Sequence, residues 1–332
     1  MRNPQNLTSR MTRVALLAAF AVSAITDSGD AVAQSSYPDR SIRLVSINAP
    51  GAPGDILARL IGDKLSASFS KPIVVENMPG AGGSIAAAYV AKAAPDGYTL
   101  LLSGDAPLVT NVSLYDKLAY DPVNDLAPIS QLIATPNVLV VPIDLPVKSV
   151  AELIALGRSK SANFTFGHGG LGFSTHLSGE LFKTMGQVDL QQVMFRQSVY
   201  PDLIAGRVTM CFCNIAQALP LVRENKLRAL AVTSLKRSPA APDIPTLDES
   251  GFPGFDVTSW FALMAPAGTP QPILDSLHQE VVRILAMPEV RQKLSDLGME
   301  IVGNSPAELA NIIKKQTPER AQLIKAAGVK MQ

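Results

Sequence analysis

The chain has 332 residues, 29 Lys and Arg against 28 Asp and Glu, a net charge of +1 and 5% aromatic residues. Such a balance excludes the electrostatic footprint of a nucleic-acid binder and a polybasic membrane patch. The length is enough for two domains of ordinary size.

Arg2, Arg10 and Arg13 make a basic start, residues 14–25 carry no charge, and Ala31-Val32-Ala33 has the small-x-small pattern of a cleavage site. The apolar run is shorter than the roughly 18 residues of a membrane span. Residues 1–33 are therefore expected to be a cleaved signal peptide, although 26–30 form a long polar stretch before the cut. Three Arg and two Asp leave with the leader, so the remaining chain is formally neutral. No Cys near the cut could carry a lipid. A soluble exported protein without a membrane anchor is expected.

Apolar strands then alternate with helical patterns. A strand is expected at 42–47, a helix at 56–69, a strand at 73–76, a small-residue helix at 84–93 and a strand at 99–102. This order predicts an α/β fold with a parallel sheet covered by helices. A second series starts with a strand at 138–141. A helix follows at 149–158, where Ser149 and Glu152 have capping-box spacing. Further elements are expected at 164–166, 175–185, 192–195, 200–205, 208–212 and 228–233. Residues 238–255 are rich in Pro and Gly and read as an ordered surface excursion. Helices at 273–285, 288–297 and 306–327 end the chain. Cys211 and Cys213 stand two apart on a strand, at a separation poorly suited to bonding, so two buried thiols are expected.

Ligands of such sheets bind at the carboxyl ends of strands, so the strand-to-helix loops are the places to look. The loop 48–55 carries Gly51, Gly54, Pro50 and Pro53 and ends in Asp55. Its glycines allow close backbone approach, and a helix start attracts anions. Asp55 either caps the helix or serves a ligand. The loop 78–84 is a second glycine-rich turn, with Ser84 as helix cap or site residue. The loop 166–176 contains Gly167, Gly169 and Gly172 in G-x-G-x-x-G order, yet the acid that should close the next strand of a dinucleotide site is missing. Gly172-Phe173-Ser174-Thr175-His176 imitates a nucleophile elbow but has His176 in place of the final Gly. A hydrolase built on Ser174 is one alternative. His168 and His176 lack a third metal ligand at a diagnostic spacing. After the strand at 192–195, Arg196 is either a bidentate carboxylate ligand or a surface ion-pair partner. Anion cradles without a catalytic constellation point to binding rather than to catalysis, with no cofactor and no metal.

At this point the chain resembles the Bug-type, TctC-like extracytoplasmic solute receptors of tripartite tricarboxylate transporters. The resemblance rests on residues 37–44, the Ala49-Pro50-Gly51 loop with Asp55, residues 75–83 and 93–101, 227–234, 258–261 and 265–270. It implies a periplasmic binding protein fold (type II-like) with two α/β lobes, a ligand cleft between them and C-terminal helices. Lobe 1 would hold residues 34–137 and 259–332, and lobe 2 residues 138–258. It also implies a monomer in the periplasm that binds a small carboxylate and passes it to a membrane permease. Carried over by position, Ala49, Gly51, Ala52 and Asp55 belong to one wall of the cleft. Gly169, Gly170, Ser174, Thr175 and His176 belong to the other, and Ser103, Asp105, Arg196, Ser198 and Asn214 are further candidates. An orphan receptor acting as a sensor with a signalling partner is the remaining alternative.

Departures from the family pattern bear on the ligand. Ala52 and Pro53 replace flexible positions, Phe173 replaces a small polar residue, His168 stands where Ser is usual, and Cys213 stands where Asp is common. The stretch after Arg196 is short. These changes predict a ligand with an apolar or aromatic body and at least one carboxylate. Trp260 is expected to be a core or hinge anchor rather than a stacking partner.

Overall fold

The computed structural model describes residues 37–159, 164–195 and 197–326; the expected signal peptide and Arg196 lie outside them. Strand β1 (Ile42–Ser46) leads into helix α1 (Pro53–Phe69), then β2 (Ile73–Asn77), α2 (Ser84–Ala91) and β3 (Thr99–Gly104). α1 begins earlier than the apolar pattern suggests. Ala52 is extended and Pro53 takes the first helical position, where a missing N–H costs nothing. A π-turn (Ala106–Thr110) and the one-turn helix α3 (Asn111–Leu114) come next.

The structure then departs from the expected short strand at 138–141. Strand β4 (Leu126–Pro142) is continuous over 17 residues. Its first part is interrupted by Pro128, Ser130, Gln131, Thr135 and Pro136, and its pairing with β9 (Thr258–Pro266) shifts register between Pro128 and Ser130 and between Gln131 and Ile133. Such irregularities break the alternation that marks a strand in sequence. β9 itself is a second strand that the pattern did not disclose, and the short β10 (Glu300–Ile301) is a third.

After β4 come α4 (Val150–Arg158), β5 (Thr165–His168), α5 (Ser174–Gly186), β6 (Gln191–Met194), α6 (Tyr200–Ile204), β7 (Met210–Asn214), α7 (Ile215–Arg223) and β8 (Leu227–Val232). Beyond β9 lie α8 (Gln271–Leu285), α9 (Pro288–Asp296), the short β10 (Glu300–Ile301) and α10 (Pro306–Ala326). The described residues from Arg40 onward form one compact unit.

The strand order is β2-β1-β3-β9-β4-β7-β5-β6, with β8 and β10 also on β4. One half of the fold is β1 with β2 and β3 in parallel, closed by antiparallel β9. The other is β5 with β6 and β7 in parallel. β4 serves both: it pairs with β9 as far as Pro136 and with β7 and β8 from Asn137 or Val138 onward.

Period-2 alternation sorts the second half into two cores. Leu139, Val141, Met210 and Phe212 pack with Phe166, Phe182 and Phe255 on one face. Val138, Val140, Cys211 and Cys213 pack with Ile215 and Leu219 on the other. Both faces are buried, as a sheet covered by helices requires. In the first half, Val45, Leu101, Leu108, Trp260 and Met264 form the core. Trp260 is an anchor there, its indole N–H bonded to Gln316 Oε1 at 2.8 Å.

The expectation of two thiols is corrected: Cys211 and Cys213 form a disulfide. Both side chains leave β7 on the same face, and their Cα atoms are 5.4 Å apart, inside the range that a disulfide bridges.

Candidate functional site

A cavity of about 870 Å³ opens where the strand ends of the two halves meet, a volume suited to a small ligand. One wall is built from Asn48, Ala49, Ala52 and Pro53, the loop 79–83, and Asp105 after β3. The opposite wall is His168, Gly169, Phe173, Ser174 and Thr175, together with residues 197–200 and 211–214. Asn137, Ser259 and Phe261, from the strands that cross between the halves, also line it.

Five helices begin on this cavity. α1 starts after Ala52, α2 after Gly83, α5 after Phe173, α6 after Val199 and α7 after Asn214, and each of these N-cap residues is a lining residue. Helix N-termini carry unpaired N–H groups and a partial positive charge. Their convergence favours an anion although no described lining residue is Lys or Arg. Asn214 caps α7 by accepting the Ala216 N–H at 3.0 Å and turns its own amide to Thr135 Oγ1 at 3.3 Å.

The loop before α1 is shaped by its own acid. Asp55 is almost fully buried and accepts from Gly51 N at 2.8 Å, Asn77 Nδ2 at 2.9 Å and Arg59 Nε at 3.1 Å. Burial pushes its carboxyl up, but the donors together outweigh this and hold it below the usual value. Gly54 must remain side-chain-free, because a Cβ would stand 2.0 Å from Asn48 Oδ1 and 2.5 Å from the Phe261 ring. At the second glycine turn Gly83, not Ser84, is the N-cap of α2, and Ser84 Oγ accepts from Asn111 Nδ2 at 2.8 Å.

The turn before α5 is fixed from within. His176 Nδ1 accepts the Gly172 N–H at 3.2 Å, which places the imidazole proton on Nε2. Burial, and then the neighbouring His168, hold His176 down at about 4. The two rings are 4.7 Å apart. His168 is also lowered by burial. The Gly170 backbone and the Gln192 side chain oppose that lowering, but neither ring nitrogen has a partner of ordinary hydrogen-bond geometry.

Asp105 is the acid on the cavity. Oδ1 accepts from Ser259 Oγ at 3.0 Å, while Oδ2 is buried without a partner. Burial pushes its carboxyl up, opposed by the Arg320 guanidinium and the Ser259 hydroxyl.

Of the residues expected from sequence, Ala49, Ala52, Asp105, Gly169, Ser174, Thr175, Ser198 and Asn214 line the cavity. Gly51, Asp55, Ser103, Gly170 and His176 do not line it but hold or adjoin the segments that do. Ser103 is wholly buried and turns its hydroxyl to Gly104 O at 2.9 Å. The sequence reading missed Asn48, Asn137, Tyr200, Ser259 and Phe261 as lining residues. Asn48 opens the glycine loop, and Ser259 and Phe261 flank Trp260, so nearness to those motifs was the available signal. Nothing in the apolar run 138–141 marked Asn137. Ser174 has no imidazole partner: among the described residues no histidine nitrogen bonds to its hydroxyl. Among the described residues no group of three or more His, Cys, Asp or Glu is placed to hold a metal ion, and no helix is long and apolar enough to cross a membrane.

Comparison with known proteins agrees with this architecture. Residues 57–329 match the tripartite tricarboxylate transporter family receptor. The chain is 33% identical over 303 residues to Protein BugT of Bordetella pertussis, covering 90% of this chain and 93% of that one. It superposes on Rpa4515 of R. palustris with adipate at a TM-score of 0.82 and 37% identity, covering 89% of this chain and 99% of that one. It superposes on MatC of Rhodopseudomonas palustris with bound malate at a TM-score of 0.77 and 34% identity, covering 87% and 100%. The two α/β lobes, the cleft and the C-terminal helices are thus those of a periplasmic binding protein, and the chain belongs to the tripartite tricarboxylate transporter receptors of the Bug, TctC-like type.

Proposed function

We propose that the protein captures a small organic carboxylate in the periplasm by closing its lobes over it, and delivers it to a membrane permease of the tripartite type. The observation that carries this reading is the convergence of the α1, α5 and α7 N-termini on one cavity. Backbone dipoles hold an anion firmly only when water is kept away from it, so closure is part of binding. The relatives bound to adipate and to malate support a carboxylate as the ligand class. Phe173, Phe195, Phe212 and Phe261 line the same cavity and favour an apolar or aromatic body. We assign lobe 1 to residues 34–137 and 259–332 and lobe 2 to residues 138–258. In this reading Ala49, Ala52, Gly169, Ser174, Thr175, Ser198 and Asn214 touch the ligand, whereas Gly51, Asp55 and His176 shape the walls.

A thermal-shift screen of residues 34–332 against aliphatic and aromatic carboxylates tests it. A ligand at 100 times its Kd stabilises the folded state by about 2.7 kcal/mol, so a hit is readily seen. Hits among carboxylates with an apolar body are expected, and silence from every carboxylate with folded protein overturns the reading. Stronger binding of citrate or glutamate than of aromatic acids overturns the apolar-body assignment alone. Replacing Ser174 by Ala should weaken binding; turnover of an ester or amide that this variant abolishes would instead reveal a hydrolase.

A further inference from the structure

Helix α10 has a foot in each half of the fold. Buried Leu309 and Ile313, on its first half, belong to the core that holds Val45, Leu101, Leu108 and Trp260. Buried Ile324, on its last turn, belongs instead to the core of the second half, with Leu153, Phe166 and Phe182. The helix accordingly meets the π-turn and α3 on one side and α5 on the other, as well as β4. At about 1.5 Å per residue its 21 residues are long enough to make that span. The chain passes between the halves within β4 and again just before β9. α10 is a third link, made by packing.

Between the two anchorages stands Pro318. A proline inside a helix withholds one N–H and presses its ring on the carbonyl four residues back, here that of Lys314. The preceding Thr317 turns its hydroxyl to Ile313 O at 2.7 Å, a bond that competes with the helix ladder and favours bending. Both act on one turn, which makes it the place where α10 bends. The same turn meets the crossing between the halves. Gln316 Oε1 accepts the Trp260 indole N–H at 2.8 Å. Buried Arg320 reaches Thr258 O at 3.4 Å and acts electrostatically on Asp105, a lining residue of the cavity.

We propose that α10 is a strap across the two lobes: its first half stays with lobe 1, its last turn travels with lobe 2, and closure bends it at Thr317-Pro318. The strap thereby sets the resting separation of the lobes before any ligand arrives. This rests on the reading of two closing lobes above, and it places Ile324, which the sequence span gives to lobe 1, in the moving body of lobe 2.

Double electron–electron resonance on the ligand-free protein tests the strap. Spin labels are attached through Ala67→Cys on α1 and Arg223→Cys on α7, both exposed positions, with Cys211 and Cys213 kept as their disulfide. Ile324→Ala cuts the anchorage in lobe 2 and should broaden the distribution of lobe separations relative to the labelled protein without it. Leu153→Ala opens a cavity in the same core from α4 rather than from α10, and should leave the distribution unchanged. Pro318→Ala restores the missing helical hydrogen bond and should narrow it. No broadening by Ile324→Ala, or broadening that Leu153→Ala matches, overturns the inference, because Ile324 is then an ordinary core residue. A Pro318→Ala distribution no narrower than that of the labelled protein overturns it as well. Should Ile324→Ala fail to fold, Pro318→Ala decides alone. No ligand enters this experiment, so the carboxylate reading stands or falls separately, on the thermal-shift screen.

Discussion

Asp55 Oδ2 accepts the backbone N–H of Gly51 at 2.8 Å, four residues back across the start of α1. The acid that ends the glycine loop therefore binds the loop itself, and its second oxygen ties that loop to β2 through Asn77. Asp55→Ala should cost about 1–3 kcal/mol, because it removes the buried carboxylate that accepts from the Gly51 N–H, the Asn77 amide and Arg59. The native carboxyl titrates below the usual value of 3.8. Its contribution is thus complete above pH 3.8 and is lost as the pH falls through the native value. Urea midpoints at pH 7 and pH 3 check this. The deficit of Asp55→Asn relative to the unaltered protein should be present at pH 7 and shrink at pH 3.

His176 has the complementary signature. It is wholly buried and held at about 4 against an ordinary 6.5, so the folded protein resists protonating it. The unfolded chain takes up that proton first, and stability falls as the pH drops from 6.5 toward 4. The slope from one such group is at most about 1.4 kcal/mol per pH unit. In His176→Gln the stability at pH 7 should be lower but its decline between pH 6.5 and 4 shallower. Parallel curves for the two proteins would show that His176 does not titrate as described.

Gly172 admits no side chain. Its φ is +79°, and a Cβ would stand 2.1 Å from Leu114 Cδ1. Left-handed strain and overpacking together predict a loss of about 2–4 kcal/mol for Gly172→Ala. Because the same turn sets the start of α5, ligand affinity should fall with it. An unchanged Tm would refute the steric argument.

Thr233 joins the chain segments at the crossing between the halves. Its hydroxyl accepts from Asn137 N at 2.9 Å and donates to Val257 O at 2.9 Å. Thr233→Val keeps the shape but leaves both groups unpaired in a buried place, at a cost of about 1–3 kcal/mol. Chemical unfolding of this variant against Thr233→Ser, which retains the hydroxyl, separates the hydrogen bonds from the lost methyl.

The parallel β-α-β parts of the fold were legible because most strands there are short apolar runs followed by a helical pattern. The strands that join the halves were not. β4 is broken by prolines and register shifts, and β9 follows a Pro- and Gly-rich stretch that masks its start. The site shows the same division. Loops such as 48–55 announce themselves through glycine and proline, and they do line the cavity. Asn137 and Ser259 sit within extended strands, where only the crossing geometry brings them to the ligand space. The role of Asp55 was left open in the sequence because a helix-start acid serves a loop or a ligand equally well on paper; only its three donors show that its lone pairs are already engaged.

The continuity of β4 through both halves has a last consequence. The proposed closure would bend β4 over a few backbone torsions near Pro136 and Asn137, where it changes partner, in the manner of a leaf spring rather than a pin joint. The stiffness of that spring is common to every ligand. A change in the spring should multiply all dissociation constants by one factor and keep their rank order, while a change in a wall should reorder them.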